Sequence, residues 1–302
     1  MGTAAELRVT QHHDWGTEWI GSTYEEQIVV QQTSMKNVPG LYQHYHSERN
    51  DERLELFEIV RAEYGTDSFL YPGCFVHVTP AFVMPNATFV DADKRAKRFF
   101  DDPQTLSFVR ESRRYRERAD LQFLWRDYTD ELPIHRGYDL LISQYAGFVS
   151  ESCKRYLRKG GVLLANNSHG DASLASIDED FRLIAVIQRR GEHFWVSTSR
   201  LDEYFVPAKQ VEVTRQLLHA TKRGIGYKRS ASDYVFEKLS PHAVAALSMK
   251  TQARTRSVLK RRGARRAETA NDHGGDTEVR GNMALGLTAW GLLKRTDALP
   301  TR

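Results

Sequence analysis

Four stretches of this 302-residue chain bring together side chains that can do chemistry. Asp91 closes the run Ala87-Thr-Phe-Val, where a carboxylate can accept hydrogen bonds from both hydroxyls of a ribose; Asp93, two residues on, is placed to cap a following helix. Asp127-Tyr128 follows Leu121-Gln-Phe-Leu-Trp125 and pairs an acceptor with a flat aromatic face; the alternative is an exposed aspartate in a turn. Ser143-Gln144-Tyr145 ends Tyr138-Asp-Leu-Leu-Ile and sets a polar group beside an aromatic able to line a substrate pocket. Asn166-Asn-Ser-His-Gly-Asp171 is a polar loop in which His169 can act as general base for a hydroxyl or amine. Equally, its Asn and Asp side chains can tie the loop together, with Asp171 capping the next helix.

Other chemistries find less support. His12-His13 and His44-x-His46 lack acidic or cysteine partners at ligand spacing and read as exposed histidines in a loosely organised segment, while His77, among apolar residues, reads as packed. Two cysteines, Cys74 and Cys153, form neither a metal cluster nor a disulfide framework and fit a reducing, cytoplasmic setting. The N-terminal stretch lacks a signal-type apolar run, and nothing approaches the ~20 apolar residues that span a bilayer. No Gly-x-Gly-x-x-Gly follows an expected strand, which argues against a nicotinamide-dependent reductase.

The elements that must position these residues alternate. A helix is expected from Leu54 to Tyr64, with Asn50-Asp51 as its N-cap and Gly65 as its stop. Strands are expected at 68–71, 87–91, 121–125, 138–143, 162–165, 181–187 and 193–197. Helices are expected from Lys94 to Phe100, and after the fourth strand through Cys153 and Tyr156 to Gly160-Gly161. Strands separated by helical segments imply right-handed crossovers and a mainly parallel sheet, whereas the tight Arg190-Gly191-Glu192 turn makes the last two strands antiparallel. Beyond 205 the chain reads as helical, over 211–221, 230–239 and 241–249.

The expected organisation is a poorly defined extension over 1–50, an α/β domain over 51–205, a helical extension over 206–250 and a basic tail over 251–302. The tail holds 11 Lys/Arg and 5 Asp/Glu, whereas residues 1–250 hold 32 and 34, so the basic balance belongs to the tail. Seven of the thirteen residues 254–266 are basic and none is acidic, a run that can neutralise nucleic-acid phosphates or simply be a solvated tail.

Taken together, the alternating units, the terminal antiparallel hairpin, Asp91 and Asp127 resemble the class I S-adenosylmethionine-dependent methyltransferases. The resemblance implies a Rossmann-like, mostly parallel seven-stranded sheet with helices on both faces, and S-adenosylmethionine as cofactor. It implies that Tyr71-Pro-Gly73-Cys74-Phe75 is the cofactor loop after the first strand, with Tyr71 where an acid is usual and Phe75 where a second glycine is usual. By the same resemblance Asp91 takes the ribose, Asp127 and Tyr128 take the adenine, and Ser143 lies beside the cofactor. Tyr145 and His169 stand on the acceptor side. The fourth strand lacks the Pro-Pro of amino-methylating members, which argues against adenine or cytosine as acceptor. A methyltransferase of unknown acceptor and a non-catalytic Rossmann-like protein that binds a nucleotide or a partner both remain open.

Overall fold

In the computed structural model, which describes residues 38–241 and 243–245, apolar side chains alternate along each central strand and feed two cores, one on either side of a sheet. Helix α1 (Leu54–Tyr64) precedes β1 (Ser68–Pro72), and the short α2 (Pro80–Val83) precedes β2 (Asn86–Asp91). Helices α3 (Lys94–Asp101) and α4 (Pro103–Ser112) lead to β3 (Asp120–Trp125). Then come β4 (Tyr138–Ser143), α5 (Val149–Cys153), β5 (Leu157–Ala165), α6 (Asp171–Ser176), β6 (Phe181–Arg190), β7 (His193–Ser197), α7 (Arg215–Thr221) and β8 (Asp233–Lys238). Phe69, Leu140, Ile142, Leu164 and Val235 enter the core under α1 to α4, and their neighbours Leu70, Leu141, Leu163 and Phe236 enter the core under α5 and α6. A strand apolar on both faces has to be covered on both, which is why helices lie on each side.

Among the described residues the sheet has eight strands, in the order β3-β2-β1-β4-β5-β8-β6-β7. The first five are mutually parallel. β8 runs antiparallel to both β5 and β6, and β7 runs antiparallel to β6. This is a Rossmann-like α/β fold. The carboxyl ends of β1 to β6 therefore share one edge with the first residues of β7 and β8. The chain divides into two units, Met1–Ala245 and Ala246–Arg302, and the described residues belong to the first.

The expected hairpin at 181–187 and 193–197 is present, paired from Val186–Ser197 to Arg190–His193. The helix expected over 230–239 is instead strand β8, which makes the sheet eight-stranded rather than seven-stranded. Periodicity alone does not separate a short apolar run into helix or strand. Burying Tyr234, Val235 and Phe236 between β5 and β6 is worth about 1.5–3 kcal/mol per side chain, well above helix-propensity differences of a few tenths. Of the other two helices expected beyond 205, the first is shortened to α7, capped by Thr214, whose side chain accepts from the Leu217 amide. The second lies mostly outside the described residues.

Three local expectations also change. Helix α1 is entered from Arg53 at φ +57°, not from an Asn50-Asp51 cap, and Asp51 is spent on two arginines instead. The helix after β4 ends in a 3-10 turn at Tyr156, so Gly160-Gly161 fall inside β5. Helix α6 is capped by Gly170 at φ +90°, and Asp171 is buried in its first turn. The expectations for residues 1–37 and for the basic run 254–266 lie outside the described residues. Among the described residues no helix is long and apolar enough to cross a membrane.

Candidate functional site

In an open α/β sheet the loops at the carboxyl edge form the ligand crevice. β1 leaves that edge through Gly73, whose φ of +63° suits a residue without a Cβ; a Cβ there would collide with that of Ala146. The Gly73 amide donates to the Val90 carbonyl at 2.7 Å, which binds the loop to β2. Phe75 follows with φ +48°, a left-handed conformation that is costly for an aromatic residue. Its amide donates to Asp91 Oδ2 at 2.7 Å, and the Asp93 amide donates to Asp91 Oδ1 at 2.7 Å. Asp93 caps α3 by accepting from the Arg95 amide at 2.7 Å. The Phe75 ring meets Tyr45 edge-on at 4.9 Å and the Arg95 guanidinium at 4.7 Å.

The loop after β4 closes over Gly73. Tyr145 has φ +60° and Gly147 φ +90°, so Ala146 is seated on Gly73 between two left-handed residues. The Tyr128 hydroxyl donates to the Ala146 carbonyl, and burial pushes that hydroxyl up to about 12. Tyr145 itself is 57% exposed.

Beside this loop a buried polar network crosses the edge. Arg53 Nε donates to Asp51 Oδ1 at 2.9 Å, Nη1 donates to Gln144 Oε1, and Nη2 donates to the Tyr145 hydroxyl at 2.5 Å. Gln144 Nε2 in turn donates to Asp233 Oδ1 at 2.8 Å. Arg189 Nη1 reaches Asp51 Oδ1 at 3.1 Å. Burial works against the Arg53 charge, but Asp233, Asp51 and Tyr145 outweigh it and keep the guanidinium firmly protonated. Burial raises the Asp233 carboxyl above the ordinary carboxylate range, while Arg53 pulls it back.

A second network fastens β4 to the helices behind it. Ser143 Oγ donates to Asp171 Oδ2 at 2.5 Å, and the Ser150 hydroxyl and amide donate to the same carboxylate. Burial pushes Asp171 up to about 6, against the pull of these hydrogen bonds. In the loop after β5, Asn166 Oδ1 accepts from Ser168 and Asn167 Oδ1 accepts from Ser173, so the side chains do tie the loop together. His169 is exposed at its tip, 3.0 Å from Ser168 Oγ. The Asn166 Nδ2 donor is buried with no partner among the described residues.

The residues singled out from the sequence thus separate into two groups. Gly73, Asp91, Tyr128 and Tyr145 gather around the β1 and β4 loops. Tyr71 and Cys74 turn into the core: the Tyr71 hydroxyl meets His77 Nδ1 at 3.0 Å, and burial raises the Cys74 thiol well above its usual range. Ser143 is directed at Asp171, and Asp127 Oδ1 accepts from the Thr129 amide and hydroxyl at 2.9 and 2.8 Å. Arg53, Asp233 and Arg189 were missed. A search for residues that follow strands cannot find Asp233, because an antiparallel strand delivers its first residue, not its last, to this edge.

His44 is exposed as expected, but His46 is not: its ring stacks on His77 at 4.4 Å and both its nitrogens are buried without a partner among the described residues. Burial lowers His46 to about 4 and His77 to about 3. Among the described residues no three His, Cys, Asp or Glu side chains are grouped as a metal site.

No family model and no curated protein matches this sequence. Solved structures similar to it include an O-methyltransferase from Bacillus cereus in complex with SAH, at 11% identity, covering 59% of this chain and 90% of that one, with a TM-score of 0.34. A methyltransferase from Geobacter sulfurreducens is similar at 14% identity over 59% of this chain and 91% of that one, TM-score 0.33. The O-methyltransferase TomG from Streptomyces achromogenes, in complex with SAM, is similar at 10% identity over 60% of this chain and 90% of that one, TM-score 0.34.

Proposed function

We propose that this chain is an S-adenosylmethionine-dependent methyltransferase. The observation that carries the reading is the position of Asp91. It stands at the carboxyl end of β2, holds the β1 loop through the Phe75 amide, and has accepted only two of the roughly four hydrogen bonds a carboxylate can take. The remaining acceptor positions suit the two hydroxyls of a ribose. Tyr128, half-buried beside Gly73, suits the flat face of an adenine. The methionine side fits less well, because Ala146 fills the space in front of Gly73 and Phe75 replaces the second glycine; the Tyr145–Gly147 turn has to withdraw for that part of the cofactor to enter.

When bound, the cofactor supplies an electrophilic methyl group on a sulfonium. The chain supplies position, which is most of what in-line methyl transfer requires. Tyr145, with its hydroxyl held by Arg53, lines the acceptor side, and His169 in the β5 loop is the candidate to take the acceptor's proton.

The second reading, a Rossmann-like protein that binds a nucleotide or partner without catalysis, is favoured by the same Ala146 and Phe75. Isothermal titration with S-adenosylmethionine and S-adenosylhomocysteine separates the two. Binding of both, abolished in Asp91→Ala, supports the methyltransferase; binding of neither removes it.

A further inference from the structure

Within residues 38–241, Lys and Arg balance Asp and Glu at 29 each, but the balance is not even along the chain. The 25 residues 94–118 hold nine basic and four acidic side chains, while the rest of 38–241 holds 20 and 25. These 25 residues form α3, α4 and the turn leading to β3. Both helices pack on the same side of the sheet, through Phe99 into the core from α3 and through Phe108 and Val109 from α4, so their charged faces point outward together.

Some of the cations are already paired: Arg95 with Asp93, Lys97 with Asp101, and Arg114 with Glu58. Lys94, Arg98, Arg110, Arg113, Arg116 and Arg118 are exposed and have no ion pair among the described residues. Surface cations that self-repel without fixed counter-charges are a standing cost to the fold and a ready site for a polyanion. At the margin of this layer stands Trp125, the last residue of β3, 48% exposed. Its indole is not loose: Nε1 donates to the Ala92 carbonyl at 3.0 Å and Lys97 Nζ lies 5.6 Å from the ring centroid. A fixed, exposed indole at the margin of a layer that carries unpaired cations is a combination that can bind a single strand, with phosphates on the cations and a base stacked on the ring.

We infer that the α3–α4 layer is a binding face for single-stranded nucleic acid, with Lys94, Arg98, Arg113 and Arg116 neutralising phosphates and Trp125 stacking a base. The cations lie on the flank of the sheet, while Trp125 borders the carboxyl edge beside Asp91, its partner in the β2–β3 register; the charge argument does not depend on the cofactor assignment.

The test is fluorescence anisotropy of the full chain with a fluorescein-labelled single strand of about 20 nucleotides, titrated across a salt series. Wild type binds, and the fourfold variant Lys94→Glu/Arg98→Glu/Arg113→Glu/Arg116→Glu loses at least about tenfold in affinity and lowers the log–log salt slope by up to about three, at ~0.7 per phosphate contact. Trp125→Ala loses about tenfold and Trp125→Phe, which keeps a ring, loses less. Thermal melts that match wild type establish that the variants are folded, as expected for exposed positions. Unchanged affinity and slope in the fourfold variant would assign all binding to the basic run 254–266 and overturn the inference. Binding to phosphatidylglycerol vesicles without binding to the oligonucleotide overturns it as well, and duplex bound as tightly as single strand overturns the stacking role of Trp125.

Discussion

The Phe75 amide donates to Asp91 Oδ2 at 2.7 Å, so the loop leaving β1 and the end of β2 are held as one piece by a side chain that is also the best-placed ligand acceptor. Because the Asp93 amide uses the other oxygen at 2.7 Å, Asp91→Ala strands two backbone donors. We predict a loss of about 2–4 kcal/mol in urea denaturation, with Asp91→Asn losing less because it keeps one acceptor oxygen. If Asp91→Ala melts like wild type, the carboxylate does not hold the loop.

Gly73→Ala meets two obstacles at once, a backbone φ of +63° and the Cβ of Ala146. The first costs about 1 kcal/mol, and the second requires the Tyr145–Gly147 turn to shift. A destabilisation of about 2 kcal/mol or more is expected by chemical denaturation, and Ala146→Gly in the same chain should recover part of it. Failure of that second change to help would show that the two loops are not in contact.

Arg53 touches Asp51, Gln144 and Tyr145 together. Arg53→Met leaves buried acceptors and carboxylates uncompensated, at an expected cost of about 3–5 kcal/mol. Adding Asp233→Asn removes one of those charges, so the double variant should be more stable than the sum of the single changes. Simple additivity in the cycle would mean that Arg53 and Asp233 do not interact.

Acid stability depends on buried histidines and buried carboxyls that act in opposite directions. His46 and His77 are lowered by burial from 6.5 to about 4 and about 3, so the fold favours their neutral forms; the stability they confer is full above about pH 6.5 and is lost as pH falls towards those values. Asp171 is raised by burial from 3.8 to about 6, so its contribution is full below 3.8 and is lost as pH rises through about 6. The two effects oppose each other in the window between. Asp233, which burial also raises, acts in the same direction as Asp171, so the prediction concerns the histidine contribution, which is lost as pH falls from about 6.5 to about 4.5. Asp171→Asn should steepen that loss and His46→Phe should make it shallower, both read as urea midpoints; a profile unaffected by either substitution would refute the assignment.

Much of the sheet was legible in the sequence because its central strands are apolar on both faces and short, and Gly or Pro punctuates several of their ends. Asp91 was legible because a parallel strand brings its last residue to the ligand edge, and Asp93 because a cap precedes its helix. The direction in which Tyr71, Cys74 and Ser143 point was not legible. Alternation in a strand says that neighbours face opposite ways, but the packing of α1, α2, α5 and α6 decides which side becomes core and which hydroxyl meets a buried carboxylate.

By itself the sequence determined where the parallel strands and the helix starting at Lys94 lie and that Asp91 ends the second strand, since these depend on residues close together in the chain. Only the tertiary structure decided that 233–238 is a strand, because the gain comes from burial between β5 and β6, whose residues lie far away in sequence. The same holds for the crevice. Arg53 lies 91 residues from Gln144 and Gln144 lies 89 from Asp233, and no local pattern couples positions that far apart. Their hydrogen bonds exist because the fold brings the entry to α1, the end of β4 and the start of an antiparallel strand to one edge.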